Sequence, residues 1–191
     1  MRKLSFFTLV ILSLFLLVAC NTGGVREDSP ASKMVGNSAY LKVNLWYERP
    51  KKILTTNYHK GIMLKVGAKF DIIAINSRRI VFRGKHGLEF TIVKQRKHTL
   101  VDMAHVLERT FSIRDETKAD GRFAHFSKME QKNIRKGKVV RGMSKQAVLM
   151  SYGYPPEHRT PSIESDNWKY WRNRFVSKIA SFEDNKLVSF R

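Results

Sequence analysis

The sequence predicts an α+β protein in which a small antiparallel β-rich domain precedes a domain of two helices and a three-stranded sheet. Short apolar segments with a period of two follow one another from Ser38, which is typical of half-buried strands. In the last third of the chain, two segments with helix-capping residues precede three short strands. A polar, glycine-containing segment at 112–122 separates the two patterns and marks the expected domain boundary.

The N-terminus has the three zones of a secretory signal peptide. A basic start, "MRK", precedes an apolar run that ends at Ala19. This run is shorter than the roughly 20 residues that a membrane-spanning helix needs. We therefore expect residues 1–19 to be a signal peptide. Residues 20–37 lack an apolar period and are rich in small and charged residues, which predicts a flexible tether.

The sequence "LVAC", which ends at Cys20, resembles the lipobox of bacterial lipoproteins. The resemblance implies that the sulfur of Cys20 receives a diacylglycerol and that cleavage makes Cys20 the first mature residue. Two or three acyl chains hold a soluble domain on a bilayer, because each buried CH₂ contributes about 0.8 kcal/mol. Asn21 replaces the aspartate of inner-membrane lipoproteins, which implies a protein anchored in the outer membrane and facing the periplasm. An ordinary cleaved signal peptide and an uncleaved anchor are the alternatives.

The β-rich domain is predicted over residues 38–115. Apolar and polar residues alternate in "YLKVNLWY", which puts them on opposite faces of a strand. The apolar set is Leu41, Val43 and Leu45, and the polar set is Lys42 and Asn44. Further strands are expected in "KFDIIAIN", "RRIVFRG" and "GLEFTIVKQ", and at 53–57. Because Cys20 is the only cysteine, no disulfide can hold this fold, and apolar burial must stabilise it.

A helix at 99–111 is expected to close the β-rich domain. Here the hydrophobic period changes from that of a strand to that of a helix. The residues at helical spacing are Leu100, Met103, Ala104 and Leu107. Asp102 near the start and Arg109 near the end complement the helix dipole.

The last third predicts two helices and then a sheet. A short basic helix is expected from Ser127 to Arg135, before Gly137. The next helix has Ser144 as its N-cap and Gly153 as its end, and two prolines after it prevent continuation. Three strands follow in "NWKYWRNRF", "SKIASFED" and "KLVSFR". The pair Asp184-Asn185 tolerates the left-handed backbone of a tight turn between the last two.

A set of residues within 122–191 carries a family resemblance. They are Gly142, Met143, Ser144, Gly153, Pro155, Trp168, Tyr170, Lys186 and Leu187. This set resembles the pattern of the SmpA/OmlA-type (BamE-like) lipoprotein domain, although Ser151-Tyr152 replaces a Leu-Leu pair that is common there. The resemblance implies two helices on three strands and a protein-binding role without catalysis. The name-giving member is an accessory subunit of the outer-membrane barrel assembly machinery, and enzyme inhibitors share the plan. Residues 38–111 lie outside the resemblance.

The chain is strongly basic. Its formal charge of +20 becomes +18 when residues 1–19 are removed, because Arg2 and Lys3 leave with them. Such a charge is typical of nucleic-acid binding, but an exported protein does not meet that partner. The cell envelope offers anionic lipid head groups, lipopolysaccharide phosphates and acidic protein surfaces instead. A solvated basic face that improves solubility is the alternative.

A basic run in the helix predicted at 127–135 and in the segment after it is the first candidate site for partner or membrane binding. Its residues are Lys128, Lys132, Arg135, Lys136, Lys138 and Arg141, followed by Lys145. Only Glu130 opposes them within this segment. A docking patch for an anionic surface and a solvated helix face both explain this pattern.

The second candidate is Trp171 with Arg172 and Arg174, because exposed tryptophan and arginine are typical of binding hot spots. Strand alternation places Trp168 and Tyr170 on the opposite, core face. The alternative for Trp171 is that it packs under the N-terminal β-rich region.

No catalytic or metal-binding pattern is found in the sequence. The six histidines have no acidic or cysteine partner at a zinc-site spacing, although His98 and His105 are seven residues apart. Neither a Gly-x-Ser-x-Gly motif nor a close pair of carboxylates in an apolar strand is present. We expect no enzyme activity, no cofactor and no metal.

These observations predict a non-catalytic cell-envelope lipoprotein. We expect it to act as a protein-binding scaffold or accessory subunit in outer-membrane protein assembly or envelope integrity. We expect no nucleic-acid partner. Two alternatives belong to other classes. One is an inhibitor or regulator of a periplasmic enzyme, and the other is a binder of anionic lipid or lipopolysaccharide.

Overall fold

A computed structural model describes residues 25–191, and this part of the chain is mixed α+β. The predicted signal peptide, Cys20 and Asn21 lie outside the described residues. The helices are α1 (Pro30–Met34), α2 (Met103–Thr110), α3 (Lys128–Arg135) and α4 (Lys145–Tyr152). The first strands are β1 (Ser38–Leu41), β2 (Leu45–Tyr47), β3 (Ile53–Leu54), β4 (Ile62–Leu64), β5 (Lys69–Ile75) and β6 (Arg79–Arg83). The others are β7 (Glu89–Val93), β8 (Phe111–Ser112), β9 (Asn167–Trp171), β10 (Ser177–Glu183) and β11 (Lys186–Phe190).

The largest sheet contains six strands in the order β3-β7-β6-β5-β1-β8. Its pairs are antiparallel except for β3 and β7, which run parallel with Ile53 opposite Ile92. This edge differs from the antiparallel prediction because β3 and β7 are not consecutive. The long connection through β4, β5 and β6 supplies the crossover that a parallel pair needs. A register shift between Ile72 and Ala74 bends β5 and adds to the curl of the sheet.

Phenylalanine rings fill the core against this sheet. The ring of Phe82 lies 5.1 Å from those of Phe70 and Phe111. It also stacks on Phe90 at 5.3 Å. Helix α2 adds the buried Leu107 to the same cluster. Such pairs combine a large buried apolar area with favourable ring geometry, so this N-terminal half has an apolar core of its own.

The segment predicted as a flexible tether is partly folded. Ser29 caps α1, Pro30 occupies its first turn, and Ala31 and Met34 are buried in the N-terminal core. The backbone N–H of Ala31 donates to Oε1 of Glu108 on α2 at 3.1 Å. The tether predicted over 20–37 is therefore wrong for the described part, 25–37, because the apolar side chains of Val25, Ala31 and Met34 dock this segment on the core.

Helix α2 begins later than the sequence predicts. Asp102 is its N-cap and accepts a hydrogen bond from the backbone N–H of His105 at 2.7 Å. Leu100 therefore precedes the helix and is 68% exposed rather than part of its apolar face. His98 also lies before the helix, so it does not share a helix face with His105.

The C-terminal half contains a sheet in the order β11-β10-β9, together with α3 and α4. Trp168 and Tyr170 are fully buried in its core, and the Trp168 ring lies 4.5 Å from that of Phe182. Asp184 and Asn185 both have a positive φ, as the tight turn between β10 and β11 requires. The two hydrophobic clusters are separated in sequence by the segment 112–122. Among residues 25–191, no helix is long and apolar enough to cross a membrane.

Candidate docking surface and interdomain cleft

Helix α3 begins at a capping box that turns its only acid inward. The hydroxyl of Ser127 accepts a hydrogen bond from the backbone N–H of Glu130 at 3.2 Å. In return, Oε2 of Glu130 accepts one from the backbone N–H of Ser127 at 2.9 Å. The other carboxylate oxygen accepts the backbone N–H of Ser144 at 2.8 Å, which ties α3 to the start of α4.

These contacts fix the charge of Glu130. Burial opposes ionisation of this carboxyl group, but the hydrogen bonds from Ser144 and Ser127 outweigh burial and lower the pKa of Glu130 to about 2. The carboxylate is therefore ionised inside the domain at neutral pH. Glu130 is 4% exposed, and its ion-pair contact among the described residues is with Lys186 of β11 at 3.9 Å, so it is not paired with any cation on the outside of α3.

The outer face of α3 and the segment after it form a cationic area, which we call the α3 surface. Its members are the predicted Lys128, Lys132, Arg135, Lys136, Lys138 and Arg141, and all six are exposed. Within residues 25–191, none of the six forms an ion pair with a carboxylate. Lys145 differs, because it is buried and its Nζ contacts Oδ1 of Asp166 at 3.1 Å.

Trp171 lies at the junction of the two halves. Its ring is half-buried and lies 6.3 Å from the ring of His158 and 6.5 Å from that of His98. His98 follows β7 in the N-terminal half. Trp171 therefore packs against the N-terminal half, which was the alternative to an exposed binding residue. Nδ1 of His98 lies 3.0 Å from Nε2 of His158. Burial and the neighbouring His98 lower the pKa of His158.

The turn between β9 and β10 displays an apolar tip among cations. Oδ1 of Asn173 accepts the backbone N–H groups of Phe175 at 2.8 Å and Val176 at 2.9 Å, which fixes the turn. Phe175 is 76% exposed, and the guanidinium of Arg174 lies 4.4 Å from the centre of its ring. Arg172 is exposed beside this tip.

A cleft of about 650 Å³ lies where the segment from β2 to β4 meets the β9–β10 turn. We call it the interdomain cleft. Aromatic and cationic residues on its wall include Trp46, Tyr47, Tyr58, Arg49, Lys52 and Arg174. Of these, only Arg174 was a sequence-based candidate. The other five lie in the region where the sequence showed strands but no functional pattern.

Asn44 is the main polar connection between the halves. Its Nδ2 donates to the carbonyl oxygens of Ile134 at 2.7 Å and Ser151 at 3.0 Å. Its Oδ1 accepts the backbone N–H of Val66 at 2.8 Å. The sequence predicted one strand through 40–47 with Asn44 on its polar face, but this strand breaks between β1 and β2, and Asn44 lies in the connection, fully buried against the C-terminal half.

Asn57 and His59 complete this junction. Asn57 has a φ of 45°, and its Nδ2 donates to the carbonyl oxygen of Tyr152 at 3.2 Å. A β-carbon on Gly153 would lie 2.6 Å from the same nitrogen, so only glycine fits the end of α4. The His59 ring stacks on Tyr152 with centroids 3.5 Å apart. Burial lowers the pKa of His59 to about 4, so the ring is neutral at physiological pH.

A buried ion pair adds to the same contact. Arg109 of α2 pairs with Glu157 of the C-terminal half, and their side chains are 11% and 12% exposed. Oε2 of Glu157 also accepts the backbone N–H of Leu100 at 3.1 Å. The hydrogen bonds of Asn44 and Asn57 and the pair Arg109–Glu157 give this junction a specific geometry, so the two halves present their surfaces in a fixed relation.

Trp46 brings the interdomain cleft next to the α3 surface. A β-carbon on Gly137 would lie 2.7 Å from the Trp46 ring, and Gly137 stands between Lys136 and Lys138. Trp46 also lines the cleft together with Arg174. Trp46, which the sequence did not indicate, therefore lies between the cleft and the segment from Lys136 to Lys138. Trp171, by contrast, belongs to the junction.

Comparisons of the chain with protein-family models, with curated proteins and with solved structures find no match. In the part of the chain that the structure describes, no three His, Cys, Asp or Glu residues are grouped as metal ligands. The geometry of the α3 surface and of the cleft therefore carries the functional argument.

Proposed function

We propose that this chain is a non-catalytic cell-envelope lipoprotein that serves as a protein-binding scaffold or accessory subunit. Docking occurs through the α3 surface onto an acidic face of an envelope protein. The observation that carries the proposal is the set of six exposed cations that find no carboxylate among residues 25–191. Complementary charges on a partner would steer its approach and fix its orientation.

The connection between the halves supports a scaffold role. Asn44 and the pair Arg109–Glu157 hold the two hydrophobic cores in one arrangement. A preorganised surface loses less conformational freedom when a partner binds. Docking on α3 therefore leaves the β-rich half free to present a second surface in a defined direction.

The cellular setting of the proposal rests on the sequence. The lipobox-like "LVAC" supports anchoring through Cys20, and Asn21 supports the periplasmic face of the outer membrane. The resemblance to the SmpA/OmlA-type (BamE-like) domain supports a role in outer-membrane protein assembly. Two helices followed by a three-stranded sheet in 122–191 are compatible with that resemblance.

A second candidate function is binding to anionic lipid. The observation in its favour is the exposed Phe175 at the β9–β10 turn, flanked by Arg172 and Arg174. An aromatic ring among cations is typical of residues at a membrane interface. This surface is separate from α3, so the two functions can be tested independently.

The test of docking is mild detergent extraction of the tagged full chain from separated membranes, followed by identification of the proteins that co-purify. The test variant carries Lys132→Glu, Arg135→Glu and Lys136→Glu. The matched control carries Arg78→Glu, Lys85→Glu and Lys97→Glu, which are exposed in the N-terminal half and change the net charge equally.

We expect the original chain and the control to retain barrel-assembly or other envelope proteins, and the α3 variant to lose at least about 90% of them. Extraction of the original chain without any protein partner would contradict the proposal. Equal recovery of partners by the α3 variant would also contradict it. Partner loss by both variants would assign the effect to net charge and not to the α3 surface.

A further inference from the structure

The interdomain cleft has aromatic walls that are already held in place. The Trp46 ring lies 5.5 Å from that of Tyr152, and the Tyr47 ring lies 5.3 Å from that of Phe90. Trp46, Tyr47 and Tyr58 are all half-buried, so each leaves part of its ring accessible. Because these contacts come from both halves, the cleft exists before any ligand enters and a ligand loses little affinity to reorganisation.

Unpaired cations surround these rings. Glu48 is the one acid on the wall, and it is already paired with Lys60 at 2.8 Å. Across the described residues, Arg49, Lys52 and Arg174 are exposed and have no carboxylate within ion-pair distance. The cleft therefore attracts an anion, and arginine and lysine together favour phosphoryl oxygens.

We infer that the interdomain cleft binds a phosphorylated saccharide. The apolar C–H face of a sugar ring packs against Trp46, Tyr47 or Tyr58, while the phosphoryl group contacts the surrounding cations. A volume of about 650 Å³ accommodates one or two sugar rings, within the usual range of about 300–1,000 Å³ for ligand sites. This inference does not depend on docking through the α3 surface.

Two sources supply this chemistry, a free sugar phosphate and the phosphorylated head group of a glycolipid. Arg174 lines the cleft and also lies 4.4 Å from the ring centre of the exposed Phe175. An acyl chain leaving the cleft would meet this apolar side chain. Phe175 is not part of the cleft wall, so its substitution should affect binding of the glycolipid head group but not of the free sugar phosphate.

The test is isothermal titration calorimetry on the full chain in neutral detergent, with glucose 6-phosphate, glucose and inorganic phosphate as probes. We expect glucose 6-phosphate to bind at least about tenfold more tightly than either of the others, because only it uses rings and cations together. The test variant is Arg49→Gln with Lys52→Gln, which should weaken binding roughly tenfold. Tyr58→Ala should weaken glucose 6-phosphate but leave inorganic phosphate unchanged.

The matched control is Lys132→Gln with Arg135→Gln, which removes the same charge from the α3 surface and should bind glucose 6-phosphate normally. The inference is overturned if glucose 6-phosphate does not bind, if inorganic phosphate binds equally well, or if the control loses as much affinity as the cleft variant. None of these results bears on partner recovery in the co-purification experiment, so failure of one proposal is distinguishable from failure of the other.

An acylated glucosamine phosphate in the same detergent separates the two sources. Tighter binding than glucose 6-phosphate, with the difference lost in Phe175→Ala, supports the inference with a glycolipid head group as the ligand. Equal binding of both probes, unchanged in Phe175→Ala, supports it with a free sugar phosphate as the ligand.

Discussion

The two halves of the molecule bury polar groups in different ways. In the N-terminal half the core is formed by stacked phenylalanines, and its fully buried Asn44 reaches across to the other half. The C-terminal half instead buries charged side chains at its own helix starts, Glu130 on α3 and Lys145 on α4. The comparison teaches that α3 keeps its only acid inside, which leaves the cations of the α3 surface available to a partner.

The largest effect is expected from removing an aromatic ring of the N-terminal core. Phe82→Ala should lower the free energy of unfolding by about 4 kcal/mol, because Phe82 is fully buried among three other rings. Urea denaturation followed by circular dichroism measures the change. Phe175→Ala, at a ring that is 76% exposed, is the control and should change stability by less than about 0.5 kcal/mol. A loss below about 1 kcal/mol for Phe82→Ala would contradict the proposed core.

The next largest effect is expected from a substitution that breaks the connection between the halves. Asn44→Ala leaves the carbonyl oxygens of Ile134 and Ser151 and the N–H of Val66 buried without their partner. We expect a loss of about 3 kcal/mol and two separate unfolding steps in hydrogen exchange. Asn133→Ala is the control, since its amide donates only within α3, and it should cost less than about 1 kcal/mol. A single unchanged unfolding transition for Asn44→Ala would argue against a junction held by this side chain.

The smallest effect is expected from the buried charge of Glu130, which distinguishes the C-terminal half from the apolar N-terminal core. The pKa of Glu130 is about 2 in the folded chain against an ordinary value of 4.5, so the unfolded carboxylate takes up its proton first. Stability from this group is present above pH 4.5 and falls by at most about 3 kcal/mol as the pH drops to 2.

Glu130→Gln should remove this part of the acid dependence, as measured by thermal unfolding between pH 5 and 2. Glu183→Gln, at an exposed position, is the control and should keep the original curve. An identical acid dependence in Glu130→Gln would show that the capping box does not hold the charged carboxylate. Phe82→Ala should keep the original acid dependence, because that core contains no buried acid.

Local signals in the sequence predicted the fold where the determining contacts are also local. Ser144 caps α4 and Gly153 ends it, as expected, and the helix predicted from Ser127 is present with Ser127 as its N-cap. Alternation located β5, β6 and β7. The sequence missed β4, which pairs with β2 across the segment that contains β3, and the parallel placement of β3 beside the distant β7. No residue near either strand specifies its pairing.

The two candidate sites also differ in whether local or distant residues determine them. The α3 surface follows from helical spacing, so its residues were named from the sequence. The interdomain cleft combines Trp46 and Arg49 with Arg174, which are more than a hundred residues apart, and only the fold brings them together. The prediction for Asn44 was wrong because alternation indicated one continuous strand and could not show that the chain turns away from the sheet after β1 and is covered there by the C-terminal half.

The early start of the folded region determines how far the protein can reach. Val25 packs against the N-terminal core, and it stands five positions after Cys20. Five residue steps span at most about 17 Å at full extension. If Cys20 carries the proposed lipid, the folded region begins within about 17 Å of the membrane surface and cannot reach across the periplasmic space. Under this proposal, a partner would have to meet the domain at the bilayer surface or be embedded in the membrane.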